Sequence, residues 1–417
     1  MKTTTFKSTS DAIAYIKDWL DNDPGLSELL VESINKAESQ ANGKLNTDLY
    51  KVLEWPTTVD EWISYITTFS RWIPHQTDLK GWRDADKGYA QEVYDHLCHF
   101  YFLIDQGVGK KGDIIVQNID GFKEWLVDYA NLWGDFLNTT ESFNDDIWKS
   151  FKEYAPYYRI DDSLVNGKPN SPSGWLTFNQ FFARELNPGL RPIDAPTDNT
   201  VITAPADCTF RKMYNIDENS NILDDDSKKT TSVLKKTHVI GNVADLLKGS
   251  PHASKFANGT FVHYFLGPYS YHRFHAPVSG MVDECRAVSG LTYLEVNIDP
   301  KTNQFSAPDD SNSPKPPNSG YQFTQARGIL TIDTTQSKEG NMGIVAVVPV
   351  GMCQVSGVHM SATKGRNIAK GEEFGYFLFG GSDIILLFQE GNAPGIDGTN
   401  SYRYYGTSIS GCPNSPK

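Results

Sequence analysis

Apolar positions at helical spacing dominate the first third of the chain. Ala12, Tyr15, Ile16, Trp19 and Leu20 recur at i, i+3 and i+4, and so do Phe122, Trp125, Leu126, Tyr129, Leu132, Trp133 and Phe136. That period predicts amphipathic helices whose aromatic stripes form a core. Thr58-Val59-Asp60-Glu61, ahead of Trp62, Ile63, Ile66, Phe69 and Ile73, has the form of a capping box. All nine tryptophans lie between Trp19 and Trp175, and residues 161–175 turn rich in Gly, Pro, Ser and Asn, which marks a linker. Beyond it, the segments 260–266, 343–350 and 375–379 are short, β-branched or aromatic, and punctuated by Gly and Pro, a strand signature. The expected fold is α+β, with an all-helical, Trp-rich N-terminal domain over 1–160 followed by a β-rich, sandwich- or barrel-like domain over 161–417. Residues 298–320 form a long polar insertion, which reads as a disordered loop or a lid.

At 417 residues the chain is long enough for two such units. Its net charge of −13 argues against nucleic acid or an anionic membrane as the main partner. Five scattered cysteines, Cys98, Cys208, Cys285, Cys353 and Cys412, form no CxxC pair, the usage of reduced thiols in a cytoplasmic protein. The N-terminus lacks the apolar run of a signal peptide, and no window reaches the 18 apolar residues of a membrane span. A cytoplasmic location is the expectation, with oligomeric state left open. His96, Cys98 and His99 lie close together without completing a ligand set, so no metal is expected.

The stretch Tyr376–Phe388, YFLFGGSDIILLF, sets two apolar runs around Gly-Gly-Ser-Asp. Taken alone it is a hairpin signal, because glycine adopts positive φ freely. Three further stretches change its meaning, FFARELNPGLRPI at 181–193, PAD at 205–207 and YHRFHAP at 271–277, together with the longer run KGEEFGYFLFGGS at 370–382 that leads into it. Serine is a weak nucleophile until a base takes its proton, and an imidazole oriented by a carboxylate is a common device for this. Asp207, His275 and Ser382 supply those three groups. In this order the motifs resemble the phosphatidylserine decarboxylase family, whose members cleave their own chain to make a pyruvoyl cofactor. The resemblance spans about residues 175–390, while the first 160 residues resemble the helical extension of that family's soluble branch, which includes decarboxylases of tryptophan.

The resemblance implies that Ser382 attacks the Gly381 carbonyl with help from His275 and Asp207. An ester forms, β-elimination follows, and hydrolysis leaves a covalent pyruvoyl group on residue 382, with two fragments, 1–381 and 382–417, that stay associated. The pyruvoyl group, in place of pyridoxal phosphate, forms a Schiff base with an amino-acid substrate and takes up the electrons left as CO2 departs. His272 is implied near the substrate carboxylate, with His272 or His275 returning a proton. Two positions depart from the family pattern: Asp383 stands where Thr or Ser is usual, and Cys208 where glycine is usual. Asp383 is a candidate for slowing cleavage or for holding a substrate ammonium. The expected substrate is a soluble amino acid, aromatic and tryptophan-like, since the acidic chain lacks a basic amphipathic anchor. Two alternatives stand beside it: phosphatidylserine itself, and an inactive interaction protein whose maturation Asp383 has stopped.

Overall fold

The computed structural model describes residues 6–223, 233–234, 238–239, 241–306, 323–352, 357–392 and 395–410. Cys353, Cys412 and positions 307–320 of the expected insertion lie outside the described residues. Contacts divide the chain into two units. One comprises Met1–Asp161, Ser173–Phe181 and Leu291–Pro317; the other comprises Asp162–Pro172, Phe182–Gly290 and Asn318–Lys417.

The first unit is built on the helices Thr9–Asn22, Pro24–Ala41, Val59–Phe69, Glu92–Ile104, Phe122–Leu137 and Asp145–Tyr154. The capping box forms as the sequence predicts: Glu61 N–H donates to Thr58 Oγ1 while the Glu61 carboxylate accepts from the Thr58 backbone. Trp62, Trp125, Tyr129 and Trp133 are buried along the expected stripe. Their polar atoms stay bonded: Trp125 Nε1 donates to the Ala12 carbonyl at 2.9 Å and the Tyr129 hydroxyl to the Ile66 carbonyl at 2.6 Å. Segment 291–306 is fastened to these helices. Gln117 Nε2 donates to the Leu294 carbonyl, Val296 N–H donates to Asp105, and Phe305 packs against Phe102 with ring centroids 5.3 Å apart.

The second unit carries eleven strands that bear on the site: β1 (Cys208–Asn215), β2 (Thr260–Leu266), β3 (Arg273–His275), β4 (Gly280–Val288), β5 (Arg327–Asp333), β6 (Ile344–Met352), β7 (Val358–Met360), β8 (Asn367–Ile368), β9 (Glu373–Phe377), β10 (Gly381–Phe388) and β11 (Tyr402–Arg403). Eight of them form one antiparallel sheet in the order β8-β4-β5-β6-β10-β2-β1-β11, and β7-β9-β3 form a second, three-stranded sheet. The fold is α+β. The large sheet ends in edge strands β8 and β11 and does not close on itself among the described residues, so the barrel form of the expectation is corrected. Both edge strands are two residues long, too short to carry a further ladder.

The hairpin that the glycine pair taken alone would suggest around Gly380–Asp383 does not form. The apolar runs on either side, β9 and β10, belong to different sheets. Gly381, Ser382 and Asp383 already lie in β10, and the bend falls earlier, at Phe379–Gly380. Strand β10 sits centrally, paired with β6 from Gly381 to Phe388 and with β2 from Ser382 to Phe388. Side chains alternate along it. Ile385 and Leu387 join Phe261, Ala346, Val348 and Val350 in a buried apolar cluster on one face, while Ser382 and Ile384 point to the other.

Candidate active site

Ser382 stands at the start of a strand with neighbours on both sides, opposite Gly351 of β6 and Leu266 of β2. It is fully buried, and its hydroxyl has no hydrogen-bond partner among the described residues. An unmet buried polar group costs about 1–3 kcal/mol, so a bare serine here calls for a use. Two residues upstream, Gly380 has φ 151°, a backbone region that side chains with a Cβ rarely adopt. The bend therefore delivers the Gly381–Ser382 peptide into the ladder by a route that requires glycine.

Asp207 closes the PAD stretch directly ahead of β1 and is 2 % exposed. Its carboxylate is gripped by Arg191, whose Nε lies 3.1 and 3.2 Å from the two oxygens and whose Nη2 lies 2.6 Å from Oδ2. Tyr405 N–H adds a bond to Oδ1 at 2.9 Å. Burial nevertheless holds the Asp207 carboxyl above its usual range, with Arg191 and the Tyr405 amide opposing.

His275, at the end of β3, is buried beside it. Its Nδ1 donates to the Gly371 carbonyl at 2.9 Å, which leaves Nε2 as the lone-pair nitrogen, within 3.3 Å of the Tyr271 hydroxyl. Burial lowers its pKa to about 4, so the ring is neutral at working pH and able to accept a proton. Gly371 is at φ 81°, and a Cβ there would meet Ile193 at 2.5 Å. The carbonyl that sets the His275 tautomer thus sits in a turn closed to other residues. Asp207 and His275 are neighbours through Tyr405, whose ring stacks on His275 at 3.7 Å and 2°. The structure does not join them by the carboxylate–imidazole bond that the sequence pattern suggests, and among the described residues no hydrogen bond links either to Ser382.

His272 is fully buried. Its ring stacks on Phe182 at 3.9 Å, with Phe377 edge-on at 6.4 Å and Phe379 packed against Phe182 at 5.1 Å. Neither ring nitrogen has a well-formed hydrogen bond among the described residues. Burial, followed by the charge of Arg184, drives its pKa well below the ordinary imidazole value, opposed by the Ser270 backbone. Phe377 N–H donates to the His272 carbonyl at 2.9 Å, which ties this ring to the strand leading into the Gly-Gly bend.

Asp383 points to the face opposite Ser382 and is fully buried, 3.0 Å from Nε2 of His263. His263 lies opposite Ile385 and so shares that face. The structure does not bring Asp383 to the serine side. Cys208 is buried in β1, and burial pushes its thiol up.

Sequence reasoning missed four participants. Arg191 was inside a recognised stretch, and an arginine sixteen positions from a buried aspartate was the available signal. Gly371 likewise lay inside the stretch 370–382, whereas Tyr405 and His263 gave no signal, because each meets its partner only through folding. Among the described residues no group of three or more His, Cys, Asp or Glu is arranged to hold a metal ion, and no helix is long and apolar enough to cross a membrane.

The chain is similar to phosphatidylserine decarboxylase proenzyme 2 of Oryza sativa subsp. japonica, 29 % identical over 274 residues that cover 65 % of this chain and 37 % of that protein. It is similar to the phosphatidylserine decarboxylase proenzyme of Fusobacterium nucleatum, 32 % identical over 216 residues, 52 % of this chain and 61 % of that one. It also resembles decarboxylase iboD of Amanita muscaria, 27 % identical over 271 residues, 61 % and 73 % of the two chains. The chain thus spans little more than a third of the rice relative and under two thirds of the bacterial one. The names of the rice and bacterial relatives give phosphatidylserine as the compound they decarboxylate, and that of iboD gives none. The family model for phosphatidylserine decarboxylase matches residues 178–407, more than half of the chain and the whole stretch from Phe182 to Tyr405 that builds the site, and the chain belongs to that pyruvoyl-dependent family.

Proposed function

We propose that the chain is a proenzyme that cleaves itself between Gly381 and Ser382 and then removes CO2 from an α-amino carboxylate without pyridoxal phosphate. The observation that carries this reading is the Ser382 hydroxyl, buried without a partner just after the glycine bend. Ser382 Oγ adds to the Gly381 carbonyl carbon, its proton passing to a neutral imidazole, for which His275 Nε2 is the candidate. The Gly381–Ser382 C–N bond breaks with the proton returned to nitrogen, leaving an ester. Removal of the Ser382 Cα proton then expels the Gly381 carboxylate, and one water enters as ammonia leaves.

In this reading the helical part, 1–160, precedes a catalytic domain, 161–417, and the fragments 1–381 and 382–417 remain bound. The resulting pyruvoyl group supplies an electron sink for the carbon that loses CO2. The hydroxyl of Ser382, buried without a hydrogen-bond partner among the described residues, and the ring of His272, set against Phe182 with no well-formed hydrogen bond on either nitrogen, fit such a group. His272, neutral within Phe182, Phe377 and Phe379, gives a carboxylate poor solvation, which favours departure as uncharged CO2. The product carbon then needs one proton, which water supplies: one ring N–H gives its proton to the carbon while the other ring nitrogen accepts one from water, and the imidazole ends neutral.

Phosphatidylserine is the substrate favoured by the names of the rice and bacterial relatives. A soluble amino acid is the second reading, favoured by the net charge of −13, which gives an anionic membrane surface little to attract. Intact mass under denaturing conditions, on the unsubstituted chain and Ser382→Ala together, tests the first step. A fragment beginning at residue 382 with a pyruvoyl-blocked end, absent from the variant, is the expected result. A chain that stays whole would turn the reading to the inactive interaction protein. CO2 release from phosphatidylserine vesicles against free tryptophan then separates the substrates.

A further inference from the structure

We propose that Tyr405 is a positioning residue that holds His275 in register for chain cleavage, so that the processing site is completed by a segment of the fragment that cleavage itself creates. This rests on the reading of Ser382 as the processing serine.

Residues 402–409 form a strap along 202–209. Tyr402 and Arg403 pair with Thr209 and Cys208, Gly406 N–H donates to the Ala204 carbonyl at 3.0 Å, Ala204 N–H donates to the Thr407 carbonyl at 2.8 Å, and Ile409 N–H donates to the Ile202 carbonyl at 2.8 Å. The strap therefore has a fixed register against the segment that bears Asp207. Its middle touches Arg191, Asp207 and His275. The Tyr404 ring lies 4.2 Å from the Arg191 guanidinium, the Tyr405 amide donates to Asp207, and the Tyr405 ring lies flat on His275. Tyr271, whose hydroxyl reaches His275 Nε2, stacks on the same Tyr405 ring at 5.6 Å.

Where the expected device is a carboxylate bonded directly to the imidazole, this chain has one residue between them, its backbone on the aspartate and its ring on the histidine. The Gly371 carbonyl fixes the tautomer, and the flat face at 3.7 Å limits rotation of the ring about its own side-chain bonds. An aliphatic side chain would fill the volume but offer no plane. A further consequence concerns order of events. Tyr405 lies downstream of the bond to be cut, so the base is not held until the strap has docked, and by then residues 382–417 are anchored at both β10 and β11.

The test compares Tyr405→Leu, Tyr405→Phe and Tyr405→Trp in the full chain, following appearance of the 382–417 fragment after cell-free synthesis. Folding is read from thermal unfolding of each variant in a Ser382→Ala background. Leu is expected to slow cleavage by about 10–100-fold, the scale of loss from a misplaced catalytic group, while the planar Phe and Trp restore most of the rate. Cleavage of the Leu variant at the unsubstituted rate would overturn the proposal, as would rates that follow side-chain volume instead of planarity. An unsubstituted chain that never cleaves overturns the processing reading as well, and is distinguished by the absence of any difference among the variants.

Discussion

Replacing Arg191 by Met removes the guanidinium from Asp207 while keeping an unbranched stem on the Tyr404 ring. The pair is buried on both sides, with three nitrogen–oxygen contacts between 2.6 and 3.2 Å. Breaking one partner of such a pair costs about 3–5 kcal/mol, because the other charge is left in a poorly solvating place. Asp162, 3.4 Å from Arg191 Nη2, loses that contact too. The cost has a pH signature. Asp207 already has a folded pKa raised above 3.8 by burial, against the pull of Arg191, and removing Arg191 raises it further. A carboxyl raised on folding contributes stability that is present below the unfolded value and lost as pH rises through the folded one. The gap between the Arg191→Met chain and its parent is therefore small near pH 4 and widens toward pH 7. Denaturant unfolding at pH 4.5 and 7.5, with Ser382→Ala in both chains to keep them whole, measures it. Adding Asp207→Asn should recover most of the loss, since the introduced amide oxygen still accepts the Tyr405 N–H and no buried charge remains at that position. A gap equal at both pH values, or one that the second substitution does not narrow, would refute the reasoning.

Cleavage should accelerate as pH rises through about 4, the value to which burial lowers His275, because the base must be neutral; a midpoint near the ordinary imidazole value would exclude His275 in its observed setting. His275→Ala should leave the chain largely whole on a denaturing gel. His272→Ala should still cleave, with turnover reduced by about 10²–10⁴-fold in a CO2-release assay; an uncleaved chain would move His272 into maturation. His263→Leu leaves the buried Asp383 carboxylate without the ring 3.0 Å away and should destabilise the Ser382→Ala chain by about 1–3 kcal/mol in denaturant unfolding.

The helices were legible because their signals are local. A Thr-x-x-Glu step and an aromatic stripe act within one or two turns, and both appear at Thr58–Glu61 and Phe122–Leu137 as written in the sequence. The strands of the site were legible for the same reason, from β-branched runs such as Thr260–Leu266. The Gly380–Asp383 hairpin failed because turn chemistry specifies a bend and says nothing about which strand the chain joins next. Gly380 does bend, and the chain leaves the three-stranded sheet for the eight-stranded one. Pairing partners depend on the whole sheet, which no window of thirteen residues contains.

The same distinction explains the site. His272, His275, Asp207 and Ser382 could be found because each sits in a short, dense motif, yet what holds each of them is remote. The amide that fixes Asp207 belongs to a residue 198 positions away, and the carbonyl that sets the His275 tautomer is 96 away. Strand β10 shows why such remote parts must assemble before chemistry begins. Alternation places Ser382 on one face and Asp383 on the other, so the nucleophile meets the site only in the register that also seats Ile385 and Leu387 in the apolar cluster. A slip by one residue would bury the serine in that cluster and turn Asp383 away from His263. Core packing and nucleophile presentation are therefore one constraint, imposed by one strand, and a chain that has not buried its β10 face has no serine in place to cut.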